Sequence, residues 1–337
     1  MTRLEIMEMC SPEYPELANR EYSWEDIEKA IDEQRVIFAY CTRADANNTL
    51  EIEFNHKSEY RKIKGKIAFE DFEYRVDGCE SKPVAALSRV GFTVALVPTG
   101  ISIDCNTGEK IVCGSRLKAQ QICREGLINT LTRGDIIDAY AVRTVKYGVF
   151  CDIGCGIISL LPIRSICVPN ILNLSSLMRK NRRLRVVVSN IREDGKIDIT
   201  HKELLGTWEE NLQGITEGET VIGTVTSIHD FGIFVELAQN LNGLAKPIDD
   251  SLKDSFKIEP GDTVGVLIKQ ISPNTMKIRL RIINKLDEAQ KPKKFKYFID
   301  GDHIDEWEYA PAELNEDRRQ KQRQSSYFTD FTKEPEE

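Results

Sequence analysis

The sequence predicts a mainly β protein, built as three tandem five-stranded barrels with short helical linkers, the first barrel degenerate. Three observations predict it. Lys146-Tyr-Gly-Val-Phe-Cys-Asp-Ile153 returns 84 residues later as Asp230-Phe-Gly-Ile-Phe-Val-Glu-Leu237, and a self-match at fixed offset marks a repeated structural unit. Short runs of alternating apolar and polar residues fill 36–118, 133–204 and 217–285, five to each region. Turn signals such as Asp45-Ala-Asn-Asn48 and Cys105-Asn-Thr-Gly108 separate the runs.

Residues 1–35 form an acidic leader with one helix signal. Ser23-Trp-Glu-Asp26 reads as a capping box opening a helix from Trp24 to about Gln34, with Trp24, Ile27 and Ile31 on its packing face. The first region (36–118) has strand signals at 35–41, 49–54, 65–69, 91–97 and 110–116. A helical connector follows over 119–132. The second region (133–204) has strands at 135–145, 148–153, 157–161, 184–191 and 196–200. A linker at 205–216 carries Trp208 at a domain junction. The third region (217–285) has strands at 220–228, 232–237, 243–245, 263–271 and 276–283. Residues 286–337 are a charged tail, expected to be largely disordered after 312. Phe295, Tyr297, Phe298, Ile299 and Trp307 make its first part apolar enough to dock on a domain.

No apolar run approaches the roughly 20 residues of a membrane span, and Met1-Thr-Arg-Leu-Glu-Ile-Met-Glu lacks the basic-then-apolar layout of a signal peptide. A cytoplasmic protein with no membrane partner is the expectation. The nine cysteines form no CxxC pair, and the four histidines show no ligand spacing, so no metal and no cofactor are expected. Reduced, partly buried thiols are the ordinary reading. The net charge of −8 argues at first against a polyanionic partner. Its distribution reverses that: residues 1–35 are net −6 and 287–337 net −5, which leaves 36–286 at +3 and its segment 132–204 at +5. Gly154-Cys-Gly156 is too short for a phosphate-binding fingerprint and reads as a hairpin turn. No nucleophile–base or metal constellation suggests an enzyme.

Alternation along a strand sends successive side chains to opposite faces. Val149, Cys151 and Ile153 then point one way and Phe150 and Asp152 the other; Ile233, Val235 and Leu237 likewise oppose Phe234 and Glu236. The face that carries an acid is expected to be wet, which places two phenylalanines on solvent faces. A five-stranded Greek-key barrel with outward aromatics is the layout of oligonucleotide-binding (OB) folds, in which bases stack on rings and basic side chains follow the phosphates.

At these residues the chain resembles the S1 RNA-binding domain, over about 133–204 and 217–285 and more loosely over 36–118. Taken whole, it is most similar to the multi-repeat ribosomal S1 proteins of Firmicutes. The resemblance implies stacking by Phe150 and Phe234 and by the aromatics three residues before them, Tyr147 and Phe231. The family's histidine twelve residues after the stacking Phe is here Pro162 in one repeat and Lys246 in the other. Its acid before the last hairpin is replaced by Arg192 and Ser272, and its basic residue at the start of strand five appears as Lys196 and Lys277. The candidate RNA contacts are therefore Tyr147, Phe150, Arg185, Arg192, Lys196 and Lys202 in the second repeat, and Phe231, Phe234, Lys246, Lys277 and Arg281 in the third. Met178-Arg-Lys-Asn-Arg-Arg-Leu-Arg185 makes the second repeat the more basic one. The implied partners are single-stranded RNA or mRNA and the small ribosomal subunit, in translation. The alternatives are an interaction scaffold and an accessory subunit of an RNA-processing complex.

Overall fold

The computed structural model describes residues 3–58, 62–73, 82–104, 107–171, 174–178, 182–246, 258–286, 294–314, 316, 319 and 327–333. The leader folds as α1 (Arg3–Met9), a 3-10 turn at Pro15–Asn19 and α2 (Trp24–Asp32). Ser23 Oγ accepts the Asp26 N–H at 3.1 Å, and the Asp26 carboxylate accepts the Ser23 N–H at 2.8 Å, so the expected capping box starts α2. Its Ile27 and Ala30 are buried on the first barrel.

Barrel 1 comprises β1 (Ile37–Ala44), β2 (Leu50–Phe54), β3 (Ile63–Ile67), β4 (Thr93–Ile103) and β5 (Lys110–Ser115), with α3 (Pro83–Leu87) before β4. The helix α4 (Arg116–Gly126) leads into barrel 2: β6 (Ile136–Val145), β7 (Gly148–Asp152), β8 (Ile158–Pro162), α5 (Leu174–Leu177), β9 (Arg183–Ile191) and β10 (Ile197–Thr200). The short α6 (Trp208–Leu212) precedes barrel 3: β11 (Thr220–His229), β12 (Gly232–Ala238), β13 (Leu241–Ala245), β14 (Thr263–Ser272) and β15 (Lys277–Leu286). All three close in the same order, first-second-third-fifth-fourth, with third and fifth strands parallel. That is a five-stranded OB barrel.

The repeat reaches into the registers. Each first strand bulges at one matching place: Cys41/Arg43, Ala141/Arg143 and Val225/Ser227. Barrel 1 is therefore degenerate in its surface sequence and complete in its closure. Its β4 outruns the expected strand because a bulge between Pro98 and Gly100 takes up one extra residue, Thr99, and lets pairing continue to Ile103.

Barrel 1 has its own core, built on Ile37, Leu50, Ile52, Phe54 and Leu96, and packs its outer face against barrel 2. Phe38 and Val97 of the first pack in a single cluster with Ile137, Val149 and Leu161 of the second, sealed by Cys10 and Tyr14 of the leader. Barrel 3 has its own core, closed by Trp208, Trp307 and Tyr309.

The tail packs on barrels 2 and 3. Beyond 312, residues 328–330 are ordered as β17 (Phe328–Asp330), which pairs antiparallel with β16 (Glu306–Glu308), and Phe331 is buried. Phe331, Tyr297, Ile299 and Ile304 pack against Ile136, Val187 and Leu204 on barrel 2. The charge-rich composition masks these few rings, whose buried apolar area holds the segment down. Residues 315, 317–318, 320–326 and 334–337 lie outside the described set.

Candidate nucleic-acid interface

The turns β6–β7 and β11–β12 build the two aromatic platforms. Each second strand begins at a glycine that must lie against the third strand. A Cβ on Gly148 would meet Leu161 O at 2.4 Å, and one on Gly232 would meet Ala245 O at 2.5 Å. The strand then puts Val149 and Cys151, or Ile233 and Val235, into the core and turns Phe150 or Phe234 outward, half-exposed. Tyr147 and Phe231, in the turns, are 58% and 64% exposed. The ring pairs have matching geometry: Tyr147–Phe150 centroids are 6.4 Å apart at 86°, and Phe231–Phe234 are 6.1 Å apart at 83°. Barrel 3 adds a third ring, since His229 stacks on Phe231 at 5.1 Å and 8° and meets Phe234 edge-on at 5.7 Å. Apolar faces of this size left in water are open to stacking by a planar ligand.

The charge beside the platforms differs sharply. In barrel 3, register runs sideways from Phe234 to Leu244 to Arg279. Arg279 thus lies on the platform face, and period-two alternation puts Lys277 and Arg281 on either side of it. These three and Lys246, just past β13, are exposed. Among the described residues, none of the four is held in an ion pair. In barrel 2 the same sideways path runs from Phe150 to Leu160 to Asp198. An acid stands where barrel 3 has Arg279. Arg192 grips that Asp198 with two bonds of 2.8 and 2.7 Å, and Lys196 pairs with Asp194 at 2.7 Å.

The two other cations expected in barrel 2 are misplaced for RNA. Arg185 donates to Ile299 O and Gly301 O, both at 2.7 Å, so its guanidinium holds the tail. Lys202 is buried with its ammonium 5.8 Å from the Trp307 ring, and burial pulls its pKa down. Arg182 sits 3.6 Å over the Phe295 ring, and Arg183 pairs with Glu16 and covers Tyr14. Arg182, Arg183 and Arg185 thus contact the chain's own termini; beside the platforms, barrel 2 exposes Arg143 opposite Phe150, and barrel 3 exposes Lys246, Lys277, Arg279 and Arg281. Arg179 and Lys180 lie outside the described residues.

Asp152 corrects the alternation argument. It is fully buried and accepts N–H groups from Glu13 at 2.7 Å, Gly154 at 2.8 Å and Gly156 at 3.0 Å. The face of β7 is wet at Phe150 and dry at Asp152 because the leader covers that end of the strand. Burial, with Glu13 nearby, pushes the Asp152 carboxyl up to about 7. Burial pushes Glu13 up as well, but Arg116 and Arg89 outweigh it and hold Glu13 down; Arg116 Nε donates to Glu13 at 2.9 Å. Above this buried group a cavity of about 530 Å³ opens between barrels 1 and 2, lined by Arg89, Phe92, Tyr140, Arg143, Phe150 and Ile158. The Phe150 platform therefore faces a groove, whereas in barrel 3 the Phe231 ring is 64% exposed. Barrel 1 has no such platform: Glu51 takes the place of Phe150 opposite the bulge and pairs with Arg43 at 2.6 Å.

His229 and Arg279 went unread in the sequence. For Arg279 the signal was present, as Lys277-Ile-Arg-Leu-Arg281 puts three cations on one face. For His229, metal-ligand spacing was the wrong question, since its ring stacks.

The S1 protein of Staphylococcus epidermidis, small ribosomal subunit protein bS1, is 28% identical over 201 residues, covering 58% of this chain and 49% of that protein. The chain is similar to small ribosomal subunit protein bS1. The bS1 of Leuconostoc lactis is 27% identical over 188 residues (53% of this chain, 44% of the relative), and the bS1 homolog of Bacillus subtilis 27% over 180 residues (52% and 47%). The chain spans about half the length of these bS1 relatives. No protein-family model matches it. A multidomain protein with nucleic acid binding domains from Streptococcus pneumoniae aligns over 76% of this chain and 75% of its own at 12% identity, with a TM-score of 0.25, too low to bear on this chain. Among the described residues no helix is long and apolar enough to cross a membrane.

Proposed function

We propose that the chain binds single-stranded RNA, with barrel 3 as the principal site and barrel 2 as a second, weaker one. The observation that carries this is the His229–Phe231–Phe234 platform with Lys246, Lys277, Arg279 and Arg281 beside it. Rings stack bases of any identity for about 1–3 kcal/mol each, and unpaired cations meet phosphates. That combination favours backbone and stacking contacts over sequence reading. The likeness to bS1 supports a role in translation in the cytoplasm, on mRNA and at the small ribosomal subunit. Two sites on one chain would reinforce each other through effective concentration. The scaffold alternative, with acidic termini recruiting basic partners, draws less support, because Glu16 and the tail contact the chain's own barrel 2. Nothing in the proposed site asks for catalysis by this chain.

The test is affinity for an unstructured 20-nucleotide RNA. Phe231→Ala/Phe234→Ala is expected to weaken binding at least tenfold with an unchanged circular dichroism spectrum. Wild-type affinity in that variant refutes the platform.

A further inference from the structure

Three thiols that are far apart in sequence meet in one dry place. Cys10 follows α1, Cys123 lies near the end of α4, and Cys155 sits in the β7–β8 turn. Each is 1% exposed or less. Their three sulfurs all lie within 4.8 Å of one another. A d10 cation binds thiolate at about 2.3 Å, which sets sulfurs about 3.8–4.0 Å apart in tetrahedral or trigonal geometry. Small side-chain adjustments close the set on one cation.

The backbone is shaped around these sulfurs. Cys155 has φ +47°, the left-handed region, between two glycines. A glycine would be relaxed there, whereas a cysteine costs on the order of 1 kcal/mol. The strained residue is held by the elements that bring the other thiols: its N–H donates to Ser11 O at 3.1 Å, and Gln120 Nε2 donates to its carbonyl at 3.2 Å. A Cβ on Gly154 would come 2.7 Å from Cys10 O and 2.8 Å from Cys123 Sγ, so a glycine is what lets the thiols gather. A purely apolar seal needs neither the strain nor the sulfur.

We propose that Cys10, Cys123 and Cys155 form a buried three-thiolate site for a single thiophilic d10 cation, Zn²⁺ or Cu⁺, which clips the leader and α4 to barrel 2. Binding Zn²⁺ deprotonates the three thiols, releases three protons and leaves a complex of charge −1; binding Cu⁺ releases the same three and leaves −2. The Arg116 guanidinium, which reaches Gly156 O at 3.5 Å, stands beside the turn as partial compensation. Three thiolates satisfy Cu⁺ in trigonal geometry, whereas Zn²⁺ would take a water as its fourth ligand; the RNA platforms do not depend on either.

The experiment is elemental analysis of the full chain, purified under reducing conditions without metal-chelate resin. One equivalent of zinc or copper per chain is expected, falling below about a tenth in Cys123→Ser. The metal-stripped wild type, titrated with Co²⁺, should give a thiolate-to-cobalt charge-transfer band saturating at one equivalent. Competition by Zn²⁺ against Cu⁺ buffered with a chromogenic chelator separates the two cations. Because the wild type carries both measurements, a variant that fails to fold does not protect the proposal. Failure to retain or take up Zn²⁺, Co²⁺ or Cu⁺ at one equivalent overturns it. So does a thiol count two short in the native chain, which would make the cluster a disulfide.

Discussion

Replacing Lys277, Arg279 and Arg281 together by glutamine should flatten the salt dependence of RNA binding. The three cations lie along β15 on the platform face, and among the described residues none is in an ion pair. Each phosphate neutralised on a single strand contributes about 0.7 to the slope of log K against log salt. Three contacts give about 2, so the wild type should lose roughly 20-fold more affinity than the variant between 50 and 200 mM salt. The assay is fluorescence anisotropy of a labelled 20-nucleotide oligo-U across that range. The matched control is Arg192→Gln/Asp198→Asn in barrel 2, which removes an ion pair whose charges already cancel and should leave the slope unchanged. An unchanged slope in the triple variant, or an equal change in the control, refutes the division of charge between the barrels.

Other outcomes follow from the same geometry. Tyr147→Ala/Phe150→Ala should weaken RNA binding less than the matching pair in barrel 3, because barrel 3 has a third ring and four exposed cations beside its platform where barrel 2 has Arg143 opposite Phe150; equal losses in anisotropy would contradict this. Glu13→Gln leaves Arg116, 1% exposed, without its carboxylate at the junction of barrels 1 and 2. A loss of about 3–5 kcal/mol is expected in urea unfolding, and a loss under 1 kcal/mol would refute the assignment. His201 is buried, and burial pulls its pKa from 6.5 to about 4. The folded chain therefore binds fewer protons than the unfolded chain between these values. The His201 contribution is fully present above about pH 6.5 and lost as pH falls through about 4, on the order of 3 kcal/mol in all. Thermal melts should show that fall in the wild type, and its persistence in His201→Gln would rule out His201 as the cause.

The barrels were legible because alternation and turns are local. The run Leu50-Glu-Ile-Glu-Phe54 becomes β2 with three residues inside, and Gly148 and Gly232 mark the starts of β7 and β12. The rings were legible for the same reason: the repeat fixes Phe150 and Phe234 on one face. The charges were not, because a cation's partner is set by tertiary packing. Nothing in Arg185 itself says that Ile299 and Gly301 supply its acceptors, 114 and 116 residues away. Asp152 shows the same limit, since its alternation is right and its surroundings depend on a leader 139 residues distant. The thiol cluster was hidden for that reason too: spacing rules see CxxC pairs and miss Cys10, Cys123 and Cys155.

The account turns on where RNA touches the chain, and ultraviolet crosslinking of the full chain to oligo-U, read by mass spectrometry, reports it directly. Crosslinked uridine on the β11–β12 peptide containing His229, Phe231 and Phe234, with a smaller yield on the peptide containing Tyr147 and Phe150, is the predicted result. Crosslinks confined to the leader, the tail or barrel 1, with both platforms unmodified, would contradict it.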